Sequence, residues 1–487
     1  MSRVQVLMFG VCCLLQSDVA RATNPPPMPI RPAQSTFDSS GLSYDYGEAL
    51  GLSILFYDAQ RAGVLPANNP IPWRGDSLTY EVDADGNDLT GGWFDAGDHV
   101  KFNFPMAFTS WVLHWGFLRF PEAYEVTGQT NMMCDMIKWP LEYFLKCWQP
   151  DTKTLYTQIG DATSDHERWE SPESMTMDRP AWQVNTSCPG SDVAGDMASA
   201  FASGYLVFKD LCPGETDFAK TLLEAAKTVY AFGDEYRGLH TRCYTDAHSY
   251  YSSDAYDDEL MVAATWMYKA TGEQKYLTDA ETLYTPTNVK GFEWENKGPV
   301  ADLLLYEATQ DEQYLDSTKA FLSERMPGGT MPYTPCGLVY IDDWGAARLA
   351  ANAAMVALVA ADDGILQGEY KEWALSQLNY LLGDNNFKIS YQVGFGDYYP
   401  TNYHHRGSSC YAEFLDCDID DPGENPHLLK GALVGGPNQD DEYEDVRTDY
   451  VQNEVAVDYN AGFQGAMAGL VYFANKGELP AAPAPTC

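Results

Sequence analysis

The chain predicts a mostly α-helical fold, on three observations: apolar residues recur at three- and four-residue spacing in roughly twelve stretches, strand-like alternation is scarce, and long polar, aromatic-rich segments separate the helical ones. The first stretch is the most complete. Asp45 with Glu48 three residues on makes a capping box, Leu52, Leu55, Phe56 and Ala59 line one face, and Arg61 then Gly63 end it. The spacing returns at Met133, Met136, Ile137, Leu141, Phe144, Leu145 and Trp148, in the alanine-rich run from Trp344 to Ala361, and at Phe463, Ala466, Met467, Leu470 and Val471 before Gly477. Further helices are expected near residues 105, 192, 215, 257, 274, 299, 312 and 369. In such an arrangement the connecting loops, not the helices, carry chemistry.

Organisation along the chain follows from its ends. Arg3, the apolar run from Val4 to Leu15 and the small-residue pattern Ala20-Arg21-Ala22 have the layout of a signal peptide over residues 1–22, too short to span a bilayer. Residues 23–38, with Pro25, Pro26, Pro27, Pro29 and Pro32, read as an extended linker, and residues 479–487 as a flexible tail. No Pro/Ser-rich break divides residues 39–478, so one large domain is expected there, exported and off the membrane. Of eleven cysteines, Cys12 and Cys13 fall in the leader; the remaining number is odd, which points to Cys487 as an unpaired thiol. Cys410 and Cys417 are close enough to close a short loop, or are two buried free thiols. Asn185-Thr186-Ser187 is a formal glycosylation acceptor. Seventy acidic against thirty basic residues give a formal charge of −40, which repels phosphate backbones and anionic lipid and argues against nucleic acid and membrane as partners; an uncharged substrate suits the surface, and a plain solubility role accounts for the charge equally well.

Three segments could carry chemistry. Gly91 to His99 places Asp95 and Asp98 around Gly97 ahead of a helix; two carboxylates on such a turn can hold and deprotonate one water, although an Asp pair beside glycine also serves as a turn or cap. Tyr443 to Ala461 carries Glu444, Asp445, Glu454 and Asp458 at the start of the last helix. There Tyr450 and Tyr459 would dehydrate Glu454 and favour its protonated form, while the structural alternative is a carboxylate complementing the helix end. Tyr403-His404-His405-Arg406 lacks a second His/Cys cluster at ligand spacing, so hydrogen bonding to sugar hydroxyls suits it better than zinc. Trp73, Trp93, Trp169, Trp294 and Trp344 lie in polar or Gly-rich surroundings where an indole face can stack on a sugar ring, and about half of them are expected to do so. Gly-x-Ser-x-Gly, the phosphate loop and the dinucleotide fingerprint are absent from the sequence.

From Tyr44 to Leu470 the sequence resembles family 9 glycoside hydrolases, the inverting cellulases, through Tyr46-Gly47-Glu48-Ala49-Leu50, Pro72-Trp73-Arg74-Gly75-Asp76-Ser77, Gly92-Trp93-Phe94-Asp95-Ala96-Gly97-Asp98, Asp343-Trp344-Gly345 and Tyr443 to Ala461. The resemblance implies an (α/α)6 barrel with an open cleft formed by loops at one end, and an endo-β-1,4-glucanase acting as a monomer on cellulose. It implies Asp98 as general base, Asp95 as its helper on the same water, Glu454 as general acid and Asp445 as a further catalytic carboxylate. His404, Arg406, Trp344, Tyr459, His166 and Trp169 match sugar-contacting positions. The chemistry then needs no cofactor, while the acidic stretch with Asp254, Asp258 and Glu259 is either a structural calcium site, since clustered carboxylates suit a hard cation, or a helix cap. The chain departs from the family pattern at Gln392, Tyr398 and Tyr403, so the loop before Arg406 is expected to be shaped differently. A non-catalytic glucan-binding protein on the same scaffold, and an enzyme acting on mixed-linkage glucan or xylan, are the competing readings; pocket shape, not motif, separates the latter.

Overall fold

In the computed structural model, which describes residues 34–487 apart from 243, 245, 287–289 and 412–416, Asp45 caps the first helix, α1 (Tyr46–Ala59), by accepting the Glu48 N–H at 3.0 Å, as the capping-box spacing predicts. The helices that follow are α2 (Asn103–Arg119), α3 (Pro121–Val126), α4 (Thr130–Cys147), α5 (Ala162–His166), α6 (Ser191–Asp210), α7 (Thr216–Glu235), α8 (Asp257–Thr271) and α9 (Gln274–Leu283). After them come α10 (Gly298–Thr309), α11 (Glu312–Arg325), α12 (Ala346–Asp362), α13 (Gln367–Leu382), α14 (Arg406–Ser409) and α15 (Val457–Asn475). Every stretch expected from periodicity is among them, and the additions α3, α5 and α14 are one or two turns long, too short for a periodic signal.

The helices close into two concentric rings. α2, α6, α8, α10, α12 and α15 each pack on the next, and α15 returns to α2. Outside them, α1 packs on α15, α4 on α2, α7 on α6, α9 on α8, α11 on α10 and α13 on α12. This is the (α/α)6 barrel. Sequence sorts the rings: α12 is buried without interruption from Ala346 to Ala361 and α15 from Val457 to Val471, whereas outer α7 buries one stripe containing Ala219, Leu222, Ala226 and Val229. Small residues let inner helices approach closely. At the α2–α15 crossing a Cβ on Gly116 would come within 2.9 Å of the Gly465 Cα.

A four-stranded antiparallel sheet sits beside the barrel, with β3 (Thr154–Ile159) pairing β1 (Lys101–Phe102), β2 (Trp148–Gln149) and β4 (Ala181–Val184). Strands of two to six residues leave no readable alternation, so the sequence does not announce them. β1 links the Asp95–Asp98 turn to α2 and anchors that turn to the sheet.

The chain ends differ from expectation. The leader at 1–22 and the linker up to residue 33 lie outside the described residues, but Thr36 and Phe37 already donate their N–H groups to the Val126 carbonyl at 2.7 and 3.1 Å. The tail is not free: Cys487 forms a disulfide with Cys336, across 151 residues of sequence, so the expectation of an unpaired Cys487 is wrong. The free thiol among the described residues is Cys147, buried at the end of α4, where burial pushes it up to about 11 and leaves it unreactive. Cys134–Cys212 ties α4 to the end of α6, and Cys410–Cys417 closes the short loop.

Candidate active site

Three chain segments are stitched together at one end of the barrel. The Arg406 N–H donates to the Gly97 carbonyl (2.9 Å), the His404 N–H to Asn453 (2.8 Å) and the Val457 N–H to Asp95 (2.8 Å). Gly97 is required there, because a Cβ at that position would collide with the His404 carbonyl. Ala96, Ala456 and Tyr459 form a small apolar cluster under the junction. The result is a cavity of about 390 Å3 whose wall includes Asp95, Asp98, His166, Trp294, Trp344 and Glu454.

The carboxylates in it are held in opposite states. Asp98 accepts the Ala96 N–H at 3.1 Å and lies 3.3 Å from His166 Nε2. Burial works against its charge, but His166, Arg406 and the Ala96 N–H outweigh burial and hold its carboxyl below the usual range. Asp95 accepts the Tyr251 hydroxyl at 2.5 Å, and burial together with the Asp98 charge raises it well above the usual range. Within this pair the surroundings favour the anion at Asp98 and the proton at Asp95. Glu454 accepts the Trp344 indole N–H at 3.2 Å; burial, reinforced by the Asp98 charge, pushes it up to about 8, so it is protonated at neutral pH.

The remaining expected residues divide. Trp344 is 45 % exposed and leans on Tyr450 with ring centroids 5.5 Å apart, while Tyr459 is buried with Arg348 over its ring. His404 is half-buried; its Nδ1–H donates to the Arg447 carbonyl (2.8 Å), and burial pushes the ring down to about 4, so it is neutral with Nε2 left to accept. Trp169 packs edge-on against His404 (4.9 Å) and carries the Arg406 guanidinium over its face (5.5 Å). Arg406 is buried and paired with Asp165, which also accepts the His99 N–H (3.3 Å). His166 serves Asp98 directly: although burial disfavours the imidazolium, the Asp98 hydrogen bond and charge raise it. Trp93 is core, Trp73 stacks on His427 away from the cavity, and Trp294 and Trp344 are the tryptophans in its wall.

Two of the expected groups are engaged by other partners. Asp445 is not in the cavity wall; it accepts the backbone N–H groups of Thr401 (2.8 Å) and Asn402 (2.9 Å), so it shapes the loop that presents His404. The calcium set is not assembled either. Asp254 is exposed, Asp258 accepts the Lys297 N–H (2.9 Å), and the Lys297 ammonium lies 2.7 Å from Glu259 and 3.2 Å from Asp196, all three side chains fully buried. A built-in ammonium balances the acidic cluster, so these residues do not fit a cation cage. Among the described residues the one cluster with metal-ligand spacing is Asp98, Asp165 and His166, and Asp165 in it is committed to Arg406. At the departing positions, the buried Tyr403 hydroxyl donates to the His427 carbonyl (2.6 Å) and accepts the Leu429 N–H (2.8 Å), buried Gln392 bonds the Ala49 carbonyl (2.8 Å), and Tyr398 is solvent-exposed.

Sequence reasoning passed over Tyr251, Asp165 and the Arg348–Asp458 pair. Each acts through a partner distant in sequence, and Tyr251 sits in a polar loop with no periodic or spacing signal. An α/α barrel whose loops hold one ionised and one protonated carboxylate in a shared cavity is equipped as an acid–base hydrolase. The model of glycosyl hydrolase family 9 matches residues 46–467. Endoglucanase B of Cellulomonas fimi is 44 % identical over 463 residues, 91 % of this chain, though the chain spans only 43 % of that protein. The structure of an endoglucanase from the termite Nasutitermes takasagoensis aligns with a TM-score of 0.85 at 42 % identity, covering 89 % of this chain and all of that one. Endoglucanase CelQ of Clostridium thermocellum, in complex with cellobiose and cellotriose, aligns at 0.80 and 38 % identity over 90 % of this chain and 72 % of its own. The chain belongs to glycosyl hydrolase family 9.

Proposed function

We propose that this protein is an exported endo-β-1,4-glucanase that cuts internal bonds of cellulose by single-displacement inversion. Asp98 is the base, Glu454 the acid and Asp95 the residue that helps hold the water. The observation that carries this reading is the opposed protonation of Asp98 and Glu454 in one cavity. Glu454 gives its proton to the glycosidic oxygen as the bond to the anomeric carbon breaks. Asp98 takes a proton from water as the water oxygen bonds to the opposite face of that carbon. Asp95, already protonated, leaves this proton to Asp98 and offers the water a hydrogen bond. Neutral His404 can accept from a sugar hydroxyl, and exposed Trp344, beside Glu454, offers a stacking face at the leaving group.

The relatives' names, and the cellobiose and cellotriose held by CelQ, favour a β-1,4-glucan as substrate. Export is supported by the leader-like first residues and by the disulfides Cys134–Cys212, Cys336–Cys487 and Cys410–Cys417, which require an oxidising compartment. Among the described residues no helix is long and apolar enough to cross a membrane. The chemistry calls for no cofactor, and we propose that the chain acts as a monomer. Glu454→Gln tests the assignment: hydrolysis of carboxymethylcellulose should fall by about 10³-fold or more while cello-oligosaccharides still bind. Hydrolysis at the normal rate would overturn it.

A further inference from the structure

Beside the catalytic cavity lies a second one of about 460 Å3, lined by Thr163, Trp182, Tyr244, Asp246, Ser249 and Tyr250. Ser249 and Tyr250 line both, so the two adjoin across this pair, of which Tyr250 contacts His166 (Nδ1 to hydroxyl 3.1 Å, ring centroids 4.9 Å). The wall is built rather than incidental. Trp182 stands on β4 opposite Gln158 of β3, half-buried, with its ring tilted 36° to that of Tyr244 at 6.4 Å. The Tyr244 hydroxyl bonds Thr157 on β3, and Asp246 is fixed by the Gln158 amide (2.5 Å) and the Ala162 N–H (3.2 Å) through its Oδ2. The rings therefore rest on the sheet, and a carboxylate and the hydroxyls of Thr163 and Ser249 surround them.

From this we infer that the second cavity is a distal subsite that takes a further glucosyl unit of a β-glucan chain threaded past Tyr250, with Trp182 as its stacking platform. A pyranose presents C–H faces to an indole and a rim of hydroxyls to carboxylate and hydroxyl groups, which is the chemistry the cavity offers. A core role does not account for Trp182, which is left half-exposed between the half-buried Ala181 and the exposed Gln183 on a strand that buries Val184. The inference rests on the glucanase reading above, but binding tests it separately from catalysis.

In a Glu454→Gln background, the affinities for cellotriose and cellohexaose are measured by calorimetry with and without Trp182→Ala. Loss of the platform should weaken cellohexaose by about tenfold and cellotriose much less, because the shorter chain has fewer units to place beyond Tyr250. Trp182→Tyr, which keeps a ring on the strand, should retain most of the cellohexaose affinity and serves as the measurement should the alanine variant fail to fold. Equal losses for both ligands, or no loss for cellohexaose, would overturn the subsite. Failure of the parent protein to bind either oligosaccharide would overturn the subsite and the glucan reading together, whereas normal hydrolysis by Glu454→Gln would remove the acid assignment alone.

Discussion

Asp95 and Asp98 are three residues apart on one turn and both buried, yet they do opposite things. The difference lies in their partners: His166 and Arg406 beside Asp98, a neutral tyrosine on Asp95. Since the active form needs Asp98 ionised and Glu454 protonated, activity should fall on the alkaline side as pH passes about 8, where Glu454 loses its proton. On the acid side it should persist below the usual carboxylate range, because the Asp98 carboxyl is held down. His166→Ala removes the hydrogen bond and the positive charge that favour the anion, so the acid limb of kcat/KM should move to higher pH while the alkaline limb stays with Glu454. A pH–rate profile for the variant checks the sign, and an unmoved acid limb would detach His166 from the base. The Asp pair itself is legible in sequence as a carboxylate turn. Which member ionises is not, because Tyr251, in a loop, and His166, at the end of α5, reach it from far along the chain.

Among the structural elements, the loops between helices position the reacting groups, and they are braced by backbone contacts rather than by regular structure. Asp445 illustrates this. Sequence likeness marks it as an active-site carboxylate, but its oxygens are occupied by the Thr401 and Asn402 N–H groups. Asp445→Ala strands two donors next to the His404 loop, at a cost of about 1–3 kcal/mol. It should therefore lower the melting temperature and raise KM, with both limbs of the pH profile where they were. Loss of one limb would instead make Asp445 a proton carrier. The calcium expectation fails for a related reason. A run of acids at the start of α8 is read from sequence as a cation site, while Lys297, the cation that fills it, lies 38 residues beyond Glu259.

Across the whole molecule, periodicity suffices to find every long helix, since twelve apolar stripes each need a partner and two rings provide one. What periodicity cannot reach is the sheet, whose strands are too short to alternate, and the Cys336–Cys487 closure of the tail and the partners of the buried charges, which are set by contacts between distant segments. The barrel brings a turn before α2 and a segment before α15, more than 350 residues apart in sequence, to one cavity, and the account of function depends on their acting on the same bond from opposite sides. Product stereochemistry reports this most directly. Proton NMR of cellopentaose during the first minutes of hydrolysis should show the new reducing end as the α anomer, before mutarotation, as single displacement by an Asp98-activated water requires. A β anomer as first product would mean retention through a covalent intermediate and would contradict the roles given to Asp98 and Glu454.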